Sequence, residues 1–337
     1  MTKKIAVIPG DGVGSDVIEA SMTVLKTVTD KLEYSYFEAG YDRFIAKGES
    51  ITDELLEDLK NYSAILFGAV GSPSGVVKNY RSAVLTMRRH LDLYANIRPV
   101  KSYIKDNKPD VVIFRENTEG LYIQKEYMRG EEAVSEKVVT EAKTRRIAKA
   151  AYSKAREWGR KRVSIVQKSN VLRLTDGMFR DVCREVAKDY PEIETDEKYI
   201  DNACYQLVRN PSSFDVIVTT NLYGDILGDL AGGVADGLGF APSGQIGDKL
   251  ALFEPVHGSA PKYVGMNKVN PIATILSAKM MLDYLGMAEE ADAIEKAIVD
   301  VLKEGKVRTY DIGGVSTTTD MADAIAEKIS SGFVSSK

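Results

Sequence analysis

The pattern of this chain predicts an α/β protein with a largely parallel sheet, on three observations. Short apolar runs at 5–8, 64–67, 111–114, 162–166 and 215–220 have strand length and are rich in Val, Ile and Phe. Longer segments with apolar residues at helical spacing fall between them, so strand and helix alternate along most of the chain. Neither an internal repeat nor a low-complexity segment interrupts that alternation.

The first run, 5–8, passes through PGDGVG (9–14) into a helical pattern over 16–28. Strand, glycine loop and helix in that order invite a dinucleotide-fold reading, with Glu38 at the end of the next strand as the ribose acid. The glycines at 10, 12 and 14 give GxGxG and not GxGxxG, so the reading is a tight turn that brings backbone close to a ligand. A helix over 53–61, the strand 64–67 and the loop GAVGSPSGVVKNY follow. RSAVLTMRRHLDLYANIRP then crowds Arg81, Arg88, Arg89 and Arg98 around an otherwise apolar helix, and Arg89 with His90 reads as solvated surface. A guanidinium fork matches a carboxylate in two-point fashion, so arginines beside a metal site point to a polycarboxylate substrate.

Strand 111–114 runs into RENTEGLY, which sets Arg115 at the strand end and Tyr122 seven residues later. The charged, alternating segment 124–139 reads as an exposed hairpin or arm. A long amphipathic helix over 140–158 leads to strand 162–166, after which QKSN sets Lys168 in a turn. Helix 176–188 and strand 194–200 end at Asp201. DVIVTT then feeds NLYGDILGDL (221–230), where Asp225 and Asp229 stand four residues apart on one face of a helix. Two acidic oxygens in that setting suit a hard divalent cation such as Mg²⁺ or Mn²⁺, with Gly224 and Gly228 letting ligands approach. Beyond it, GLGFAPSGQIGD (237–248) reads as a glycine-rich loop, and His257 in FEPVHGSAP as part of a ligand loop. Helical patterns over 271–285, 288–303 and 318–329 close the chain.

Composition narrows the function classes. The 337 residues suffice for one large or two modest domains. With 45 basic and 49 acidic side chains the formal charge is −4, which points to a small partner and away from nucleic acid or a membrane surface. Cys183 and Cys204 form neither a CxxC pair nor a disulfide framework, which fits a reducing cytoplasm. No run approaches the roughly 18 apolar residues of a membrane span, and no signal-type segment precedes the first strand. A soluble, cytoplasmic protein is expected.

Six motifs in order, IPGDGVG, LDLYANIRP, RENTEGLY, QKSNVLRLTDG, NLYGDILGDLAGG and FEPVHGSAP, resemble those of the β-decarboxylating dehydrogenases. That family comprises isocitrate, homoisocitrate and 3-isopropylmalate dehydrogenases, and the resemblance runs from about residue 5 to residue 329. It implies an isopropylmalate/isocitrate dehydrogenase-like fold distinct from the Rossmann fold. A discontinuous large domain on the cofactor side, 1–93 plus 236–337, would flank a central domain, 94–235, that carries the dimer interface and the arm. The family forms homodimers with shared active sites, so a homodimer or a higher oligomer built on it is expected.

By motif, Asp225 and Asp229 resemble the metal-binding acids of one subunit, and Lys168 with Asp201 the pair contributed by the other. Tyr122 resembles the proton donor. Arg88, Arg98 and Arg115 resemble the clamp on the substrate's carboxylates, and Ser82 the serine with which isocitrate dehydrogenases hold the distal one. The resemblance implies oxidation of a (2R,3S) 2-hydroxy acid at C2, loss of CO₂ and reprotonation by Tyr122. Lys168 would remove the hydroxyl proton and Mg²⁺ or Mn²⁺ would act as Lewis acid. Gln167 departs from the histidine that many members carry there. A non-catalytic regulatory subunit of the same fold is the competing class, and the complete set of Lys, Tyr, three Asp and three Arg argues against it.

For the substrate, isocitrate is the first reading, with homoisocitrate or 3-isopropylmalate as the alternative. Val84 replaces an asparagine common in isocitrate enzymes, and Leu85 is apolar. For the cofactor, NADP is expected over NAD. Lys262 stands where NAD-using members usually carry an acid. Lys262, Tyr263, Val269 and Tyr310 are similar to the set used by NADP-dependent isocitrate dehydrogenases, and His257, Gly258 and Asn270 join them as cofactor contacts. Gly314 stands where an arginine often completes that phosphate site.

Overall fold

The computed structural model describes residues 2–104 and 109–334. Met1, 105–108 and 335–337, which the domain ranges above include, lie outside these. The strands in chain order are β1 (Lys3–Gly10), β2 (Leu32–Tyr36), β3 (Ala64–Ala69), β4 (Ala95–Lys101), β5 (Asp110–Glu116), β6 (Glu126–Arg129), β7 (Glu132–Ser135), β8 (Arg162–Gln167), β9 (Glu194–Tyr199), β10 (Val216–Thr219), β11 (Pro242–Ile246) and β12 (Ala251–Pro255). Two compact units emerge: Met1–Leu91 with Asp236–Lys337, and Asp92–Ala235. Among the described residues, no helix is long and apolar enough to cross a membrane.

In the unit built from both chain ends, β1 pairs in parallel with β2 and β3, β12 runs parallel to β3, and β11 returns antiparallel to β12. Ile5 to Ile8 of β1 are fully buried, as expected for a strand covered on both faces. Helix Ile272–Tyr284 is buried almost all round, packed against β11 and β12 and against helices Gly14–Val28 and Ala288–Glu304. Residues 237–248, read from sequence as a glycine-rich loop, instead contain a 3₁₀ turn at Leu238–Phe240 and the buried strand β11. The reason is packing: a Cβ at Gly244 would lie 3.0 Å from the Phe253 ring, so the glycine lets the β12 aromatic close over the strand. Pro242 takes the first strand position, where its missing N–H costs least.

In the unit formed by Asp92–Ala235, β5 pairs antiparallel with β4 and parallel with β10, followed by β8 and β9, all parallel. Side chains alternate across this sheet. Val111 and Ile113 join Ile217, Leu207 and Leu227 in one cluster under helices Ile200–Arg209 and Asn221–Val234. Phe114 faces the other way, with its ring 6.0 Å from that of Trp158 at the end of helix Glu141–Glu157. Arg98, read from sequence as part of an arginine-bearing helix, lies on β4; the helix is Ala83–His90 and Arg81 precedes it. Asp201, expected at a strand end, sits in the first turn of helix Ile200–Arg209. The segment 124–139 forms the exposed hairpin β6–β7.

The PGDGVG loop makes its close approach to protein. Val13 N–H donates to the Ser259 carbonyl at 3.0 Å. Gly12 has φ +59, and a Cβ there would stand 2.1 Å from the same carbonyl oxygen. Gly12→Ala should therefore lose about 1–3 kcal/mol from backbone strain alone, with more from displacement of the 257–260 loop. Urea unfolding measures this, and an unchanged midpoint would argue against the contact.

Candidate active site

Two arginines reach the central acids from one sheet face. In the β4–β5 ladder Asn96 lies opposite Arg115 and Arg98 opposite Ile113, so Arg98 and Arg115 are diagonal neighbours on the face of Val111 and Ile113. Helix Asn221–Val234 packs over them. A Cβ at Gly224 would fall 2.6 Å from Cβ of Arg115, and one at Gly228 would fall 2.5 Å from Nη1 of Arg98. The expectation that these glycines admit a ligand is corrected: they admit the two arginine stems, which are buried at 1% and 5% relative exposure.

Asp225 receives both guanidinium groups. Its Oδ1 accepts from Arg115 Nη1 and, at 3.0 Å, from Arg98 Nη2, while its Oδ2 accepts from the Tyr122 hydroxyl. Arg98 Nη1 also lies 3.7 Å from Asp229 Oδ1. Nε and Nη2 of Arg115 donate to Asn221 Oδ1 at 3.0 and 2.8 Å, and the Asn221 amide donates to the Glu119 carbonyl at 3.1 Å. The Arg115 guanidinium stacks 4.8 Å from the Tyr122 ring centroid. Asp229 is the more open acid, with a side chain 60% exposed. Its carboxyl is still raised above the ordinary value, first by desolvation against Arg98's opposing charge, and then by Asp225. Asp225 and Asp229 offer hard oxygen donors of the kind a divalent cation takes. Among the described residues no group of three His, Cys, Asp or Glu gathers into a metal site within the chain.

Lys168 and Asp201 form a second pair. Lys168 follows β8 directly, and its Nζ donates to Asp201 Oδ1 in the first turn of the helix after β9, 5.6 Å from the Tyr199 ring. That ammonium holds the Asp201 carboxyl below the usual carboxylate range. Asp201's side chain is 68% exposed, so the pair faces outward. Gln167, in the position of the expected histidine, is buried and turns its amide oxygen to the Ser169 N–H, which stabilises the turn without touching the lysine's ammonium.

In the other unit Arg88 is buried, donates from Nε to Gln245 Oε1 at 2.6 Å, and lies 3.5 Å from Glu254 Oε1, which also accepts from the Gln245 amide. Ser82 caps helix Ala83–His90, its Oγ accepting from Leu85 N–H at 3.4 Å. Val84 is buried in that helix.

The expected cofactor residues separate into two groups. Tyr263 and Tyr310 pack with their rings tilted at 45° and centroids 5.4 Å apart. The Lys262 ammonium sits 4.7 Å from the Tyr263 ring, and Lys268, which sequence reasoning passed over within PKYVGMNKVN, sits 4.8 Å from the Tyr310 ring. The neighbouring Tyr310 phenol, ahead of the Lys262 ammonium, holds Tyr263 below its ordinary value, and Tyr263, with burial, pushes Tyr310 up to about 12. Val269 and Asn270 instead face inward. Val269 packs with Val13 and Val17, and Asn270 donates to Asp311 at 3.0 Å and accepts from Ile272 N–H. His257 bonds the Gly258 carbonyl through Nδ1, while its buried Nε2 finds no partner among the described residues; burial lowers its pKa. A side chain at Gly314 is excluded here, because a Cβ would stand 2.0 Å from the Arg308 carbonyl. Gln245, Glu254, Asn221 and Lys268 are the site residues missed by the sequence reading. Glu254 and Asn221 lay inside quoted motifs, and Gln245 lay in the stretch misread as loop.

Comparison with known proteins gives one family. The chain matches the family described as isocitrate/isopropylmalate dehydrogenase over residues 4–325. It is 47% identical over 334 residues to an isocitrate/homoisocitrate dehydrogenase of Thermus thermophilus, covering 98% of this chain and 100% of that protein. A 3-isopropylmalate dehydrogenase of Archaeoglobus fulgidus is 46% identical over 96% of this chain and 98% of its own length. Among solved structures, isocitrate dehydrogenase from Methylococcus capsulatus superposes with a TM-score of 0.94 at 38% identity, covering 98% of this chain and 100% of that one. With matches of this extent in sequence and in fold, the chain belongs to the isocitrate/isopropylmalate dehydrogenase family.

Proposed function

We propose that this β-decarboxylating dehydrogenase oxidises isocitrate to 2-oxoglutarate and CO₂ with NADP and Mg²⁺ or Mn²⁺. The observation that carries the reading is the convergence of Arg98, Arg115 and Tyr122 on Asp225, with Asp229 alongside. Guanidinium forks bind the substrate's carboxylates, with Arg88 and Ser82 assigned to the same task. Asp225 and Asp229 hold the cation together with Asp201 of a second chain. Lys168 takes the C2 hydroxyl proton as hydride leaves the carbon, and after CO₂ departs Tyr122 returns a proton to the carbon that carried it. When bound, the cation supplies a positive charge that favours the alkoxide and the enolate, and the nicotinamide accepts the hydride.

A homodimer fits the exposed side of the Asp92–Ala235 unit. Leu174, Val171, Tyr205, Val208 and Ile226 are large apolar side chains exposed on or beside helices Thr175–Ala187, Ile200–Arg209 and Asn221–Val234. Subunit mixing tests the shared site. Lys168→Met and Asp225→Asn chains should each be inactive alone and regain part of the activity when dissociated and reassembled together. No recovery in confirmed mixed dimers would place the lysine and the acids of a working site in one chain.

Relatives named for different acids leave the substrate to experiment. kcat/KM for isocitrate, homoisocitrate and 3-isopropylmalate should rank isocitrate first. Pocket discrimination by a methylene is worth only about 1–3 kcal/mol, so measurable activity with homoisocitrate is also expected. A clear preference for isopropylmalate overturns the assignment, and inactivity with all three in the presence of cation favours the regulatory-subunit class.

The clustered ammonium and phenol groups of Lys262, Lys268, Tyr263 and Tyr310 support NADP, since each hydrogen bond to a charged phosphate contributes about 1.5–3 kcal/mol. Lys262→Asp should lower kcat/KM for NADP by roughly 10- to 100-fold while sparing NAD. Wild-type enzyme that uses NAD as well as NADP would refute the preference.

A further inference from the structure

Asp176 is a carboxylate with 0% relative exposure, on the first turn of helix Thr175–Ala187, and no proposed catalytic step uses it. A charge so deeply buried persists only with full compensation. Its Oδ2 accepts from the backbone N–H of Lys168 at 2.8 Å, and its Oδ1 accepts from the Lys137 ammonium and, at 3.3 Å, from the Thr175 hydroxyl. Lys137 belongs to the base of the hairpin arm, between β7 and the bridge in which Val138 pairs with Gly120. The Lys137 ammonium also lies 4.8 Å from the ring of Tyr223, on the Asp225 helix, and burial, with the Asp176 charge nearby, pushes the Tyr223 phenol up. The Lys168 peptide is thus gripped from both sides, because its carbonyl accepts from Val171 and Leu172 N–H at 3.0 and 2.9 Å.

We propose that Asp176, with Lys137 as its counter-ion, is the positioning residue for the Lys168 turn. The inference rests on the reading of Lys168 as the proton acceptor. Asp176 fixes the peptide from which that side chain springs, and Lys137 makes the buried carboxylate tenable while tying it to the arm. Tyr223, on the helix of Asp225, meets the same junction through its ring, which the Lys137 ammonium faces. A displaced turn keeps its lysine and loses its aim, and misplacement by about 1 Å can cost about 10²-fold in rate.

The test uses Lys137→Met, Lys137→Arg and Asp176→Asn in the full chain, with Lys168→Met as reference, measuring kcat, substrate KM and amide hydrogen exchange of residues 168–172. Lys137→Arg keeps the counter-charge of the buried carboxylate, and circular dichroism confirms the fold of Lys137→Met and Asp176→Asn before their kinetics are read. The expected result is a kcat lowered by about 10- to 100-fold in Lys137→Met and Asp176→Asn at unchanged KM. Exchange over 168–172 should be faster in both, and Lys137→Arg should restore kcat and exchange together. Wild-type kcat in folded Lys137→Met, or a loss of kcat with unaltered exchange, overturns the proposal. Full activity in Lys168→Met would instead overturn the role of the lysine, while the exchange data test the positioning of its turn separately.

Discussion

Two glycines under one helix set the geometry of the central acids. Gly224 and Gly228, four residues apart, face the sheet where Arg115 and Arg98 rise from adjacent strands, and the missing Cβ atoms are the space the arginines occupy. Buried guanidinium groups require anions, and Asp225, next to Gly224 on the helix, meets both. Breaking such a buried ion pair typically costs about 3–5 kcal/mol, because the partner charge is left in a poor solvent. The strand register, the helix glycines and the carboxylate therefore depend on one another. A shift of either strand by one residue would turn its arginine to the opposite face.

The same arrangement distinguishes the two acids. Asp225 is committed on both oxygens, to arginines on one and to Tyr122 on the other, and is held in one orientation. Asp229, a turn further on, is open and touched only at 3.7 Å by Arg98. One carboxylate is thus held by several partners while its neighbour one turn on is largely exposed.

The alternation of strands and helices, the Asp225–Asp229 face and the arginine-bearing segments were legible in the sequence, because periodicity and local motif encode them directly. What escaped was contact between segments distant in the chain. Gly224 and Gly228 read as openings for a ligand because nothing local says which side chain lies beneath them. β11 read as loop because its glycine makes sense only against Phe253. The protein partners of Arg88 escaped too, since Gln245 and Glu254, which hold it, lie more than 150 residues away. Val269 and Asn270 lay in a motif associated with the cofactor, yet their side chains serve the core and the start of helix Ile272–Tyr284.

The hairpin β6–β7 has a different relation to its own chain. Every residue of its first strand is exposed, and only Val134 of the second is partly covered, so it gains almost nothing from burial in its own unit. An isolated two-stranded hairpin is marginal in water. A protease should therefore find it before the buried strands of the unit. Deleting the hairpin tip would leave the unit's hydrophobic core intact. The hydrophobic core and the exposed hairpin are thus encoded in separable stretches of this chain.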